Sequence, residues 1–235
     1  MDYVVARELN QLYIILDIVF LLVLGYLLLK NDRRFSFVFG LAGALIYFIV
    51  DYGGFHLLLG TRTVDGADTM WFLLWLSTSY GFTNFVWIWL FLKRDKQILK
   101  WSTLIVGGWL MVAFLSQAFG ASFGIINIAR RTGGYHVLMA IILIVGYLIL
   151  IYRRYVLKIT ADLPIWYVLF VGIVVQFSWE AVLLVSGIRP WGANPLIFNS
   201  LLETNLGIPY LYFIQKAIMK RYHVASIPTL QNSAE

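Results

Sequence analysis

Seven long apolar stretches restrict what this chain can fold into. Each has roughly the 17 to 25 residues that a helix needs to cross a bilayer. In hydrocarbon every backbone polar group must be bonded within the segment, which favours helices. The sequence therefore predicts an all-α, polytopic membrane protein with a single seven-helix domain over 1–224. The predicted spans are 9–29, 36–59, 70–92, 101–121, 135–152, 164–187 and 195–217.

Composition supports the same class. Of the 235 residues, 61% are hydrophobic and 13% are charged, whereas an ordinary soluble domain carries about 25% charged residues. Because the chain has no cysteine, disulfides, thiolate catalysis and cysteine-ligated zinc or iron–sulfur clusters are excluded. The net charge of +6 lies in short runs between the apolar stretches, which predicts contact with membrane lipid and no binding of nucleic acid. Residues 225–235 are polar and are predicted to be a disordered cytoplasmic tail.

The distribution of Lys and Arg predicts the orientation. Thirteen of the 18 basic residues lie in the 1–2, 3–4 and 5–6 connections and at or after the end of the last span, where Lys216 is the last-but-one residue of the span. The excess of Lys and Arg on cytoplasmic loops then places the N-terminus outside and the C-terminus in the cytoplasm. An integral, multi-pass protein is expected, in the plasma membrane if the source is bacterial, and its oligomeric state is left open. The five basic residues on the outward side are Arg7, Arg62, Arg130, Arg131 and Arg189.

Four carboxylic acids lie within four of the apolar stretches: Asp17, Asp51, Glu180 and Glu203. With that threading all four lie about eight residues from the outer face, roughly 12 Å deep at 1.5 Å per helical residue. An acid in hydrocarbon is costly, so four at one depth indicate an interior site. No Lys or Arg is expected at that depth to pair with them, so desolvation and mutual repulsion should keep some of these acids protonated near neutral pH.

Candidate roles follow from this layer. Asp51, Glu180 and Glu203 are the candidate catalytic acids. Asp17 is assigned to substrate binding, although a hydrogen bond at a helix interface explains it equally well. The sequence offers no metal-ligand spacing of His with Glu or a second His, so no metal and no cofactor are predicted. The other candidate substrate-binding residues are Ser77, Ser79, Trp179, Asn199 and Asn205.

The last span has two further features. Pro209 cannot donate to the carbonyl of Asn205, which predicts a kink just after Glu203. Residues 187–189 and 202–211 also resemble 59–62 and 76–85. This suggests two three-helix units of the same orientation joined by helix 4, a 3+1+3 internal repeat.

The segment 203–212, Glu-Thr-Asn-Leu-Gly-Ile-Pro-Tyr-Leu-Tyr, resembles the last-helix motif of small seven-helix membrane-bound terpene cyclases of meroterpenoid and indole-diterpene pathways. Glu203 stands at the catalytic Asp of that motif. Asp51, in Phe-Ile-Val-Asp-Tyr, stands where the family has a Glu in helix 2, but without its preceding Trp. A Trp-Glu pair occurs instead in helix 6, at Trp179 and Glu180. The resemblance implies metal-free, proton-initiated cyclisation of a lipophilic, isoprenoid-like small molecule.

The same residues leave other functions open. Acids, hydroxyls and amides at one depth, with a 3+1+3 repeat, also fit a small-solute or proton-coupled carrier, in which the acids bind a cation or relay protons. A receptor-like or purely structural role is the third option.

Overall fold

The computed structural model describes residues 5–130, 135–159, 164–193 and 195–222, and it is mostly helical, at 77%. Five of its helices are long and apolar enough to cross a membrane, which supports the assignment to membrane proteins. They correspond to predicted spans 1, 2, 4, 5 and 6. Their bounds are Gln11–Lys30, Arg34–Leu58, Ile98–Ser122, Val137–Val156 and Ile165–Val185.

The helical elements of the described residues follow the predicted order. Short π-helical segments lie at Ile49–Leu58, Tyr152–Val156 and Pro195–Asn199, and a 3₁₀ turn lies at Gly120–Ser122. The α-helices are α1 (Gln11–Lys30), α2 (Arg34–Phe48), α3 (Thr69–Leu92), α4 (Ile98–Phe119), α5 (His136–Ile151), α6 (Ile165–Val185), α7 (Ser200–Leu202) and α8 (Ile208–Arg221).

Helix α3 lies at the centre of the bundle and contacts α1, α2, α4, α6 and α8. It corresponds to predicted span 70–92 but is not among the five apolar candidates, because its sequence mixes Trp, Ser, Thr and Asn with aliphatic residues. Such a composition suits a helix that is surrounded by protein rather than lipid. Close packing against α2 depends on Gly43 and Gly81, since a Cβ at either position would overlap the facing helix.

The predicted span 195–217 is not one continuous helix, so that prediction is wrong in detail. The chain forms the π-helical segment Pro195–Asn199, then α7, then turns over 203–207, and continues as α8. Pro209 lies in the first turn of α8, where its missing N–H costs least. The break just before Pro209 confirms the expected kink and places Glu203 on the non-helical turn.

The chain is mostly helical, as predicted, but it also contains three short strands that were not predicted, which form an antiparallel sheet in the order β1-β3-β2. The strands are β1 (Val5–Asn10), β2 (Arg62–Asp65) and β3 (Ile125–Arg130). In β3, Ile126 and Ile128 alternate inward, as expected for a half-buried strand. Gly66 ends β2 with a φ of +87°, and a Cβ there would overlap the carbonyl oxygen of Ile125.

The strands come from the N-terminal segment and from the 2–3 and 4–5 connections. These are three of the four segments that the charge count assigns to the outer face. The orientation, the seventh span and the 3+1+3 repeat remain predictions. Arg131 and the tail 225–235 lie outside the described residues.

Candidate functional site

Asp51 is the point where the second span meets the sheet. It lies in the π-helical segment Ile49–Leu58 and is 8% exposed. Its Oδ1 accepts a hydrogen bond from Arg62 Nε at 2.6 Å, and its Oδ2 accepts from Arg130 Nη2 at 2.8 Å. π-Helical turns often occur at functional sites, and this one directs a carboxylate toward arginines of β2 and β3.

This environment shifts the pKa values of Arg62 and Arg130 in opposite directions. Burial acts to lower the pKa of Arg130, but attraction to Asp51 and the other nearby acids outweighs it and raises the pKa. The pKa of Arg62 is lowered, first by burial and then by repulsion from Arg130, with Asp51 opposing both. Arg62 also lies 4.2 Å from the ring centroid of Phe55. Asp51 is therefore the counter-ion that two buried cations share.

Glu180 forms a second ion pair, on α6. Glu180 is fully buried, and its Oε2 accepts a close hydrogen bond from Arg189 Nη1. Oε1 accepts from Asn199 Nδ2 at 3.1 Å and from Gln176 Nε2 at 3.3 Å. Asn199, a predicted substrate-binding residue, thus helps to satisfy the Glu180 carboxylate.

Glu203 differs from the other two acids because a neutral side chain holds it. Gln176 Nε2 donates to Glu203 Oε2 at 2.9 Å, while Gln176 Oε1 accepts from Thr204 Oγ1 at 2.7 Å. Gln176 thereby links Glu180 and Glu203 through one amide. Glu203 is only partly buried, and among the described residues no arginine donates a hydrogen bond to it.

Arg130 connects the two halves of the cluster. Its charge is attracted by the carboxylates of Asp51, Glu203 and Glu180. The structure thus brings the three predicted catalytic acids into one electrostatic neighbourhood. The expectation that no cation would accompany them is wrong, since arginines of the sheet and of the connection after α6 reach into the layer.

Asp17 does not join this cluster through any hydrogen bond or ion pair of the described residues. The residue is fully buried on α1, and its Oδ2 accepts from Trp75 Nε1 of α3 at 2.9 Å. The contact ties two helices together. This geometry favours the interface explanation over the predicted substrate-binding role.

Ser77 and Ser79 are buried on α3, and neither hydroxyl has a hydrogen-bond partner in the part of the chain that the structure describes. Neither hydroxyl is therefore bonded to Asp51, Glu180 or Glu203, and the role of both serines in substrate binding stays a prediction. Ser79 faces Asp17 without forming a hydrogen bond of normal geometry. It also lines a small cavity together with Arg7, Tyr13 and Trp179.

Trp179 and Asn205 lie beside the site. The Trp179 ring packs against Tyr80 and Trp109, with ring centroids 5.4 and 5.0 Å apart. Asn205 accepts from Tyr147 Oη at 3.0 Å and donates to the carbonyl of Ser200 at 3.3 Å. It thus links the interrupted last span to α5, and its contact with a substrate stays a prediction.

Sequence reasoning missed Gln176 and four arginines. Gln176 carried a usable signal, because it is a lone amide in an apolar helix, four residues before Glu180 and on the same face. The arginines also carried one: Arg7, Arg62, Arg130 and Arg189 are four of the five cations that the orientation places on the outer side. Lys and Arg are rare on the predicted outer side of this chain, so the few that occur there are candidates for a functional site.

Comparison of the chain with known proteins finds no matching family model, no matching curated protein and no matching solved structure. The residues that the structure describes also contain no group of three His, Asp or Glu side chains able to hold a metal ion. Function must therefore be argued from the acids and arginines themselves.

Proposed function

We propose that this protein is a multi-pass membrane enzyme in which Glu203 donates a proton to an isoprenoid-like, lipophilic substrate. The observation that carries the proposal is the difference between Glu203 and its neighbours. Glu203 is partly exposed and hydrogen-bonded to the neutral Gln176, whereas Asp51 and Glu180 are buried against arginines. A general acid must present a proton to its substrate, and Glu203 is the acid placed to do so.

Asp51 and Glu180 take different roles from those that the sequence suggested. Arginine can only donate hydrogen bonds. Both oxygens of Asp51 accept from guanidinium groups, so Asp51 serves as an ion-pair partner and not as a proton donor. Glu180 is likewise bound to Arg189. The two carboxylates hold the arginines, and through Gln176 the position of Glu203.

The proposed reaction conserves the mass of its substrate. The Glu203 carboxyl transfers its proton to an alkene or epoxide, the resulting cation is attacked by a second alkene, and a ring bond forms. A proton is then lost from a carbon next to the final cation and returns to the Glu203 carboxylate.

Access from the bilayer fits this substrate class. Glu203 follows the segment Pro195–Asn199 and helix α7, where Phe198 and Leu201 are exposed apolar side chains. Helix α5, which packs beside them, also exposes large apolar residues. A lipophilic molecule dissolved in the membrane reaches Glu203 along this surface.

A proton-coupled carrier is the second candidate, because one observation favours it. The last span is interrupted at 203–207, next to a buried charged network. Discontinuous helices at ion and substrate sites are typical of secondary transporters. In that case Glu203 relays the proton, and a small polar solute replaces the lipophilic substrate.

Incubation of the purified protein in lipid nanodiscs with prenylated and epoxidised prenyl substrates tests the first proposal. The expected product has the mass of the substrate and one more ring. A prenyl substrate should lose one alkene, whereas an epoxidised substrate should exchange its epoxide for a hydroxyl group and keep its number of alkenes. Glu203→Gln should reduce its formation by about 10²- to 10⁴-fold, the usual contribution of a general acid. Glu8→Gln is the matched control, because Glu8 is an exposed glutamate of β1.

Uptake into proteoliposomes with and without a pH gradient tests the carrier. Solute accumulation that needs the gradient and is lost in Glu203→Gln, with no cyclised product, would replace the first proposal by the second. If Glu203→Gln and Glu8→Gln behave like the unaltered protein in both assays, neither function holds.

A further inference from the structure

Arg7 is a buried cation that the proposed chemistry does not use. It lies in β1, is 2% exposed, and belongs to the short segment before the first span. Its Nε and Nη1 have no hydrogen-bond partner among the residues that the structure describes. Burial, together with repulsion from Arg130 and Arg189, lowers the pKa of Arg7 to about 10. The guanidinium thus remains charged at neutral pH, with donors left over.

Those donors border a small cavity. Its lining includes Arg7, Tyr13, Ser79 and Trp179, along with apolar side chains. Within the described part of the chain, Tyr13 Oη, Ser79 Oγ and Trp179 Nε1 also lack hydrogen-bond partners. Buried polar groups are nearly always satisfied. Four side chains with unused donors around one space therefore indicate an occupant that accepts hydrogen bonds.

The local charge indicates the sign of that occupant. Arg7 is the one charged side chain among the residues that line the cavity. Arg130, Arg189 and Glu180 lie close enough to affect its charge, and Asp17 faces Ser79 from outside the lining. Arg7 and Trp179 can only donate hydrogen bonds. Asp17 is bonded to Trp75 and is not one of the lining residues. The cavity has room for about one molecule or ion of roughly the size of water.

We propose that the cavity between Arg7, Tyr13, Ser79 and Trp179 binds a single small anion of chloride size. Bound there, the anion neutralises Arg7 and holds β1 against α3 and α6. It is a structural ion, separate from the proton chemistry at Glu203, so the two proposals can fail independently.

Thermal unfolding at constant ionic strength tests this proposal, with gluconate replaced stepwise by chloride or bromide. The melting temperature should rise saturably, by roughly 5 to 10 °C at a hundred times Kd. Exchanging sodium for potassium should have no effect. Arg7→Gln should abolish the rise, whereas Arg34→Gln, which changes an exposed arginine at the start of α2, should retain it.

A milder variant and a direct observation complete the test. Tyr13→Phe keeps the ring and removes one donor, and it should weaken halide binding about tenfold even if Arg7→Gln does not fold. Anomalous scattering from bromide-containing crystals should show a peak between Arg7 and Trp179. If halide raises the melting temperature of Tyr13→Phe and of the unaltered protein equally, the proposal is overturned. It is also overturned if the crystals show no bromide peak in the cavity, because water then fills it.

Discussion

The replacement Asp51→Asn tests whether the sheet depends on the second span. The substitution keeps the shape of the side chain but removes the charge that Arg62 and Arg130 share. The side chains are 12%, 3% and 14% exposed, in the order Asp51, Arg62 and Arg130, so water can screen the orphaned cations only slightly. Breaking a buried ion pair by removing one partner costs about 3–5 kcal/mol.

The assay is thermal unfolding of the protein in lipid nanodiscs. A loss of that size corresponds to a fall in melting temperature of roughly 6 to 20 °C for a chain of this length. Asp65→Asn is the matched control, since Asp65 is an exposed residue of β2 and should change stability by no more than about 0.5 kcal/mol.

A double-mutant cycle separates the ion pair from general damage. Arg62→Met combined with Asp51→Asn should cost less than the sum of the two single changes, because Asp51→Asn already removes the carboxylate with which Arg62 is paired. If Asp51→Asn is no more harmful than Asp65→Asn, or if the two losses simply add, the sheet does not need Asp51 and the description of the cluster is wrong.

Further predictions concern other parts of the same structure. Arg189→Gln should destabilise the protein by about 3–5 kcal/mol, because it leaves the fully buried Glu180 without its cation; adding Glu180→Gln should recover part of the loss in the same unfolding assay. Gly43→Ala should cost about 1–3 kcal/mol by forcing α2 away from α3, whereas Gly107→Ala, where a Cβ meets nothing within 4 Å, should be neutral or stabilising by up to about 1 kcal/mol. The rate of cyclisation should fall as pH rises and Glu203 loses its proton, and a pH profile of the residual rate in Glu203→Gln should lack that decrease.

The helices could be predicted from the sequence because the signal is local. Hydrophobic length alone predicted Gln11–Lys30, Ile98–Ser122 and Ile165–Val185 to within a few residues, and Pro209 predicted the break before α8. The sheet could not be predicted in this way. Its strands are four to six residues long and pair over distances of more than 60 residues along the chain.

The candidate site was predicted in part. Counting helical rise placed Asp51, Glu180 and Glu203 at one depth, and the structure brings the three together. The helical rise along the spans could not show that Arg62 and Arg130 reach that depth, because both arginines lie on strands outside the spans. Asp17 shares the depth but bonds to Trp75 on α3, since depth gives no information on the direction in which a side chain points.

The arginines explain why acids in apolar spans need not be protonated. Some of the four acids were expected to be protonated in a dry layer, but the connections outside the spans supply Arg62, Arg130 and Arg189 as partners for Asp51 and Glu180. Only Glu203 remains, within the described residues, as a catalytic candidate without a hydrogen bond to a cation. The chemistry proposed for this protein depends on that difference.

Infrared difference spectroscopy of the protein at neutral pH tests this difference most directly. A protonated carboxyl has a C=O stretching band that a carboxylate lacks. We expect a component of this band that disappears in Glu203→Gln and is unchanged in Asp51→Asn. A band that survives in Glu203→Gln and is lost in Asp51→Asn would show that the proton resides on the other acid and would contradict the account.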